Sequence, residues 1–185
     1  MRAAIAPSPA DRNILQWLVA HRSPGLNSLA KGLMNLGLSV PFLGLVIFAA
    51  LILAVALRAF RPVIAGGCAA LLTVVASLAL KQLIARPRPD AGLALVAASG
   101  YSMPSTDAAL VAALTTAVVV VARWPSRAAK SAAATVAIAA NLLTGLALVY
   151  LGVHWVTDVL AGWVLGVGIG MLVGMLALKY RRRPD

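Results

Sequence analysis

Two short stretches of this 185-residue chain gather side chains that could do chemistry together. The first runs from Lys81 through Arg86-Pro87-Arg88-Pro89-Asp90 to Ser105-Thr106-Asp107, and the second, 150–158, carries His154 and Asp158. Lys81, Arg86 and Arg88 place three cations at one end of an apolar run, and the planar fork of arginine suits phosphate oxygens. Lys81 and Arg88 are two helical turns apart. The prolines are expected to end the helix near Arg86 and let Arg88 fold back. Ser105, Thr106 and Asp107 open the next apolar run, where free amides at a helix start, joined by a Ser hydroxyl, favour an anion. His154 and Asp158 are four residues apart and so share a helix face. A carboxylate there holds one ring nitrogen and leaves the other free as nucleophile or base.

Taken singly, each signal has a plainer meaning. Basic residues at span ends snorkel, Ser-Thr-Asp caps helices, and a histidine near a membrane boundary is commonly structural. Their coincidence argues for a site, because three of the five acidic residues and one of the two histidines fall in these two loops. Ionisable groups at membrane depth are costly and mark function.

The elements that must position these groups are membrane helices. The chain is 62% hydrophobic and only 11% charged, against about 25% charged in soluble domains, and its mean hydropathy is +0.94. That composition excludes coiled coils, disordered tails and soluble nucleotide-binding folds. A net charge of +11 would suggest nucleic acid in a soluble protein. Here the cations flank apolar runs, where they meet anionic lipid head groups. Cys68 has no second cysteine to pair with. Five stretches approach the roughly 20 apolar residues that a span needs: 33–57, 62–80, 108–122, 131–153 and 159–178.

The expected fold is therefore an all-α polytopic bundle of about five spans, read as a single membrane domain over 1–185. Residues 1–32 form its surface segment, 33–180 its core and 181–185 a basic tail. No cleaved signal peptide is expected. Residues 11–21 read as an amphipathic helix lying on the membrane, capped by Ser8 or Asp11, with Ile14, Leu15, Leu18 and Val19 on one face. His21 is expected to touch head groups.

Five spans put the termini on opposite sides. The C-terminal side carries Arg58, Arg61, Arg123, Arg127, Lys130, Lys179, Arg181, Arg182 and Arg183, and the other side keeps four cations once Lys81, Arg86 and Arg88 are set apart as functional. The positive-inside rule then predicts a cytoplasmic C-terminus and an extracytoplasmic site. Gly162, Gly166, Gly170 and Gly174 form a smooth ridge on the last span. Packing within the monomer is the favoured use of that ridge, and a homodimer face the alternative.

These motifs resemble the type-2 phosphatidic acid phosphatase superfamily, the lipid phosphate phosphatases that share a helical core with vanadium haloperoxidases. The family pattern is Lys-x6-Arg-Pro, then Pro-Ser-Gly-His, then Ser-Arg-x5-His-x3-Asp. Here stand Lys81 with Arg88-Pro89, then Pro104-Ser105-Thr106-Asp107, then Ala147-Leu148 followed at the right spacing by His154 and Asp158. Asp107 replaces the family's general-acid histidine, and Leu148 its phosphate-binding arginine. The resemblance implies phosphate held by Lys81, Arg88, Ser105 and Thr106, with Arg86 standing in for the missing arginine. It implies attack by His154, whose tautomer Asp158 fixes, and a proton from Asp107. No metal or other cofactor is implied, and five aspartates without a glutamate offer little for a two-metal site. The implied substrate is phosphatidic acid, phosphatidylglycerol phosphate or a polyprenyl diphosphate. A phosphotransferase using the same phosphohistidine and a non-catalytic lipid-binding relative remain as alternatives. Five spans without a visible repeat argue against a transporter.

Overall fold

The computed structural model describes residues 5–38, 48, 51, 52, 54–56 and 58–181, and among them every regular element is helical. Of the five expected spans, the first, 33–57, is described only at 33–38, 48, 51, 52 and 54–56, and the rest of it lies outside the described residues. The others appear as α3 (Phe60–Ile84), α4 (Thr106–Val121), α5 (Arg127–Tyr150) and α6 (Val156–Arg181), preceded by α1 (Pro9–Ala20) and α2 (Pro24–Leu38). Helices α3, α5 and α6 are long and apolar enough to cross a membrane. Helix α4 has 16 residues, about 24 Å at the usual rise, and is the shortest of the core.

The helix ends follow local chemistry. Ser8 caps α1 in a reciprocal box with Asp11, and Pro9 occupies the first turn. Ser105 caps α4 through a bond from the Ala108 amide, and Ser126 caps α5 through Ala129. Helix α3 stops at Ile84, two residues before Arg86, where Ala85 turns left-handed (φ 50°). Pro87 and Pro89 then prevent the helix from resuming.

Small residues let the core helices approach closely. A side chain at Gly162 would meet the Ser105 carbonyl oxygen at 2.6 Å, one at Gly170 the Ala113 carbonyl oxygen at 2.6 Å, and one at Gly174 Val120 at 2.7 Å; Gly166 faces the Ala109 carbonyl. The glycine ridge is thus occupied by α4 of the same chain, against buried Ala108, Ala109, Ala112 and Ala113. It is not available to a second copy, which corrects the homodimer alternative for this face. Asn141 of α5 donates to Thr115 of α4 at 3.1 Å, joining those two helices across apolar surroundings. Outward-facing Leu71, Val75, Val136, Leu146, Val164 and Leu172 are exposed, as a lipid-facing surface requires.

The N-terminal segment does more than lie on a surface. Helix α1 packs against α5 and α6 and buries Asp11 and Leu15. Arg22 donates to the Leu93 and Tyr150 carbonyls, each at 2.7 Å, which pins the α1–α2 turn to the loop before α4 and to the end of α5. His21, expected at head groups, bonds the Trp17 carbonyl at 2.8 Å and stacks on the Trp17 ring.

Candidate active site

The reactive groups meet where α3, α4 and α6 end on the same side of the bundle. Lys81, in the last turn of α3, donates to the Tyr101 carbonyl at 2.8 Å. The turn at Ala85 folds Arg88 back as the sequence suggests. Its Nε donates to the carbonyls of Ser99 and Gly100, and its Nη1 reaches the Val153 carbonyl at 2.6 Å and His154 Nε2 at 3.2 Å.

His154 lies in the turn before α6, rather than on the helix as its spacing from Asp158 suggested, and is 3% exposed. A guanidinium has no acceptor, so the contact with Arg88 makes Nε2 the unprotonated nitrogen. The proton then sits on Nδ1, 3.5 Å from Asp158 Oδ2, where the carboxylate attracts it electrostatically without a formed hydrogen bond. Burial lowers the proton affinity of His154, and Arg88 and Lys81 lower it further, while Asp158 opposes them. The imidazole is accordingly neutral near pH 7, with its lone pair directed at the cations.

Asp158 is fully buried and is held on both oxygens. Oδ2 accepts from the Trp155 amide at 2.9 Å, and Oδ1 accepts from Arg86 Nη1 at 2.5 Å. Arg86 is the residue whose place differs most from expectation. Instead of reaching a phosphate cleft it is 2% exposed, with Nη1 also on Thr157 Oγ1 at 2.6 Å and Nη2 on Asp11 Oδ2 at 2.8 Å. Asp11 receives Thr157 twice more, from the amide at 3.0 Å and the hydroxyl at 2.8 Å. Burial opposes ionisation of Asp11, but the bonds from Thr157, Ser8 and Arg86 outweigh it and hold the carboxyl well below the usual carboxylate range.

From sequence Asp11 was read only as a helix cap, and Thr157 was not singled out. The available signal was that a buried arginine needs a counter-ion and that Asp11 is the only acidic residue before Asp90.

Ser105 is buried. Its hydroxyl caps its own helix and its amide donates to the Asp158 carbonyl at 3.0 Å, which locks the start of α4 to the start of α6. Thr106 is the first residue of α4. Asp107 lies within electrostatic reach of Lys81 and Arg88. It also lines a cleft of about 320 Å³ between α2, α4 and α5, whose other walls include Met34, Leu110, Thr144 and Leu148. Leu148, where the family pattern has arginine, is 3% exposed and packs among Ala108, Val153 and Val159. Apolar contacts, not a displaced cation, fill that position. Lys81, Arg88, His154 and Asp158 therefore converge, Asp107 stands beside them on an apolar cleft, and Arg86 lies behind them.

Comparison with known proteins agrees with this arrangement. A family model described as the PAP2 superfamily matches residues 45–182. Phosphatidylglycerophosphatase B of Bacillus subtilis (strain 168) is 33% identical over 187 aligned positions, covering 96% of this chain and 88% of that protein. The crystal structure of the first transmembrane PAP2 type phosphatidylglycerolphosphate phosphatase from Bacillus subtilis superposes with a TM-score of 0.80 at 29% identity, covering 95% of this chain and 88% of that one. That of Aquifex aeolicus LpxE gives 0.70 at 25% identity, covering 96% and 100%. Together with the helical membrane bundle, these likenesses make the chain a membrane lipid phosphatase, a hydrolase. The chain belongs to the PAP2 superfamily.

Proposed function

We propose that this protein hydrolyses the phosphate of a glycerophospholipid, with phosphatidylglycerol phosphate the first candidate, through a phosphohistidine on His154. The observation that carries the reading is Arg88 Nη1 at 3.2 Å from the unprotonated His154 Nε2, which puts a phosphate ligand beside a free lone pair. Choice of phosphatidylglycerol phosphate over phosphatidic acid or a polyprenyl diphosphate rests on the two Bacillus subtilis relatives, both phosphatidylglycerol phosphate phosphatases.

In the first step Arg88 and Lys81 take the phosphate oxygens, helped by the free amides that open α4 at Thr106 and Asp107. Nε2 attacks phosphorus, the bond from phosphorus to the lipid oxygen breaks, and Asp107 gives that oxygen its proton, so the lipid leaves as an alcohol. In the second step water attacks the phosphohistidine, returns a proton to Asp107, and inorganic phosphate leaves as His154 is restored. Asp158 holds the Nδ1 proton through both steps. The positive-inside count supports a site on the extracytoplasmic face with the C-terminus in the cytoplasm, and cations at span ends suit contact with anionic head groups.

The reading is tested by phosphate release from detergent-solubilised protein offered phosphatidylglycerol phosphate, phosphatidic acid and a polyprenyl diphosphate, each with EDTA. Release that is fastest from the first and unchanged by EDTA is expected. No release from any of the three would overturn it. Transfer to an added alcohol in preference to water would favour the phosphotransferase instead.

Asp107→Asn tests the acid directly. General acids contribute about 10²–10⁴-fold, and a loss of about 10²-fold is expected on lipid substrates. With an aryl phosphate, whose leaving group needs no proton, the first step, read as the pre-steady-state burst of aryl alcohol, should recover most of its rate. Equal losses of that first-step rate on both substrate types would remove Asp107 from the acid role.

A further inference from the structure

The catalytic sequence above uses His154 and Asp158, yet these are the last two members of a longer buried chain that begins on α1. Asp11 and Arg86 are joined at 2.8 Å and Arg86 and Asp158 at 2.5 Å, and the Thr157 hydroxyl links the first pair again, accepting from Arg86 and donating to Asp11. None of the three charged side chains is more than 2% exposed. Burying three ions is expensive, and apolar replacements often serve stability as well or better, so packing alone gives no reason for the chain to hold them.

The geometry points to Asp11 as a positioning residue for the His154–Asp158 pair, acting through Arg86. This rests on His154 being the nucleophile.

Two consequences of the arrangement support it. First, Arg86 shares its charge between two carboxylates. Without Asp11 its whole attraction would fall on Asp158 Oδ1 and draw that carboxylate away from His154, whose Nδ1 is already 3.5 Å from Oδ2. Second, the charges behind His154 are two carboxylates and one guanidinium, a net of one negative. His154 becomes cationic when Nε2 bonds to phosphorus, and that net negative charge stabilises it. Asp11→Asn reduces the net to zero. The other charged groups that face His154 are Lys81 of α3 and Arg88 of the following loop; Asp107 of α4 acts on those two cations. None of them compensates for the change.

The test uses the full-length protein in detergent and three chains: the parent, Asp11→Asn, and Asp11→Asn with Arg86→Gln, which returns the net charge to one negative. Two readouts are taken. The first is kcat and KM for lipid phosphate, with His154→Ala as a control. The second is the titration of the His154 ring by NMR of 13C-labelled histidine, in a His21→Gln background so that one histidine remains.

Asp11→Asn is expected to lower kcat about 10- to 100-fold, the scale on which partners behind a site's direct ligands act, with KM nearly unchanged. Its His154 titration should move to lower pH. The double variant should recover part of kcat and move the titration back, which a purely structural role would not do.

A folded Asp11→Asn with kcat within about two-fold of the parent and an unmoved titration overturns the inference. So does a loss that follows thermal stability and deepens in the double variant. Should His154→Ala keep the parent's activity, the nucleophile assignment fails instead, and the ring titration still decides whether Asp11 acts on His154.

Discussion

His154→Ala is expected to lower kcat for lipid phosphate hydrolysis on the order of 10⁶-fold, comparable to deleting the nucleophile of a serine hydrolase. The expectation is that large because nothing nearby can take over the attack. Asp158 is fully buried and held by Arg86 and the Trp155 amide, and the Ser105 hydroxyl is engaged as a helix cap. His21, the other histidine, stacks on Trp17 in the N-terminal segment. The variant should still fold and bind substrate, since the Ser105–Asp158 backbone bond and the α4–α6 contact do not involve the imidazole. Steady-state phosphate release, with binding of an unreactive phosphonate analogue as the check on folding, measures both. A residual rate above about one-hundredth of the parent's would place the nucleophile elsewhere.

Arg88→Ala is expected to cost about 10³-fold in kcat, the upper range for removing one preorganised donor to developing negative charge. Here the position of Leu148 makes the loss severe. The site has no second arginine on α5 to share the phosphate, and Arg86 is committed to Asp11 and Asp158. Lys81 alone would remain, a point charge without the paired geometry of a guanidinium. Arg88→Lys should therefore recover only a small part of the rate. Losing Arg88 also removes the donor that faces His154 Nε2. Rates of the two variants on one lipid substrate check this, and an Arg88→Lys variant as active as the parent would contradict it.

Much of the site was legible in the sequence because its parts are tied to chain-local rules. The proline pair fixes where α3 must stop, and Ser105 marks the start of α4, so the places of Lys81, Arg88 and Asp107 follow from helix-ending and capping chemistry. The spacing of His154 from Asp158 correctly paired them. It did not show that the helix begins only at Val156, because an i, i+4 spacing is equally compatible with a turn that leads into a helix.

Arg86 was misplaced for a different reason. Two arginines separated by one proline look alike along the chain, and only the tertiary fold sends Arg88 to His154 and Arg86 behind Asp158. Asp11 was read as a helix cap, and it does complete the Ser8 capping box. Its second use, 75 residues away at Arg86, depends on α1 packing against α6, which an amphipathic pattern does not specify. The glycine ridge carried the same ambiguity, since small residues every four positions allow close packing without naming the partner. The alanines of α4 supply it here.

The central claim is that phosphate passes through His154. The most direct measurement is to mix the protein with lipid carrying 32P in its terminal phosphate, quench in alkali within milliseconds, and locate the label. Alkali-stable, acid-labile radioactivity on the peptide that contains His154, absent from His154→Ala, is the predicted result. Release of labelled phosphate at the full rate, with no label on the protein at any quench time and no loss of rate in His154→Ala, would contradict the account.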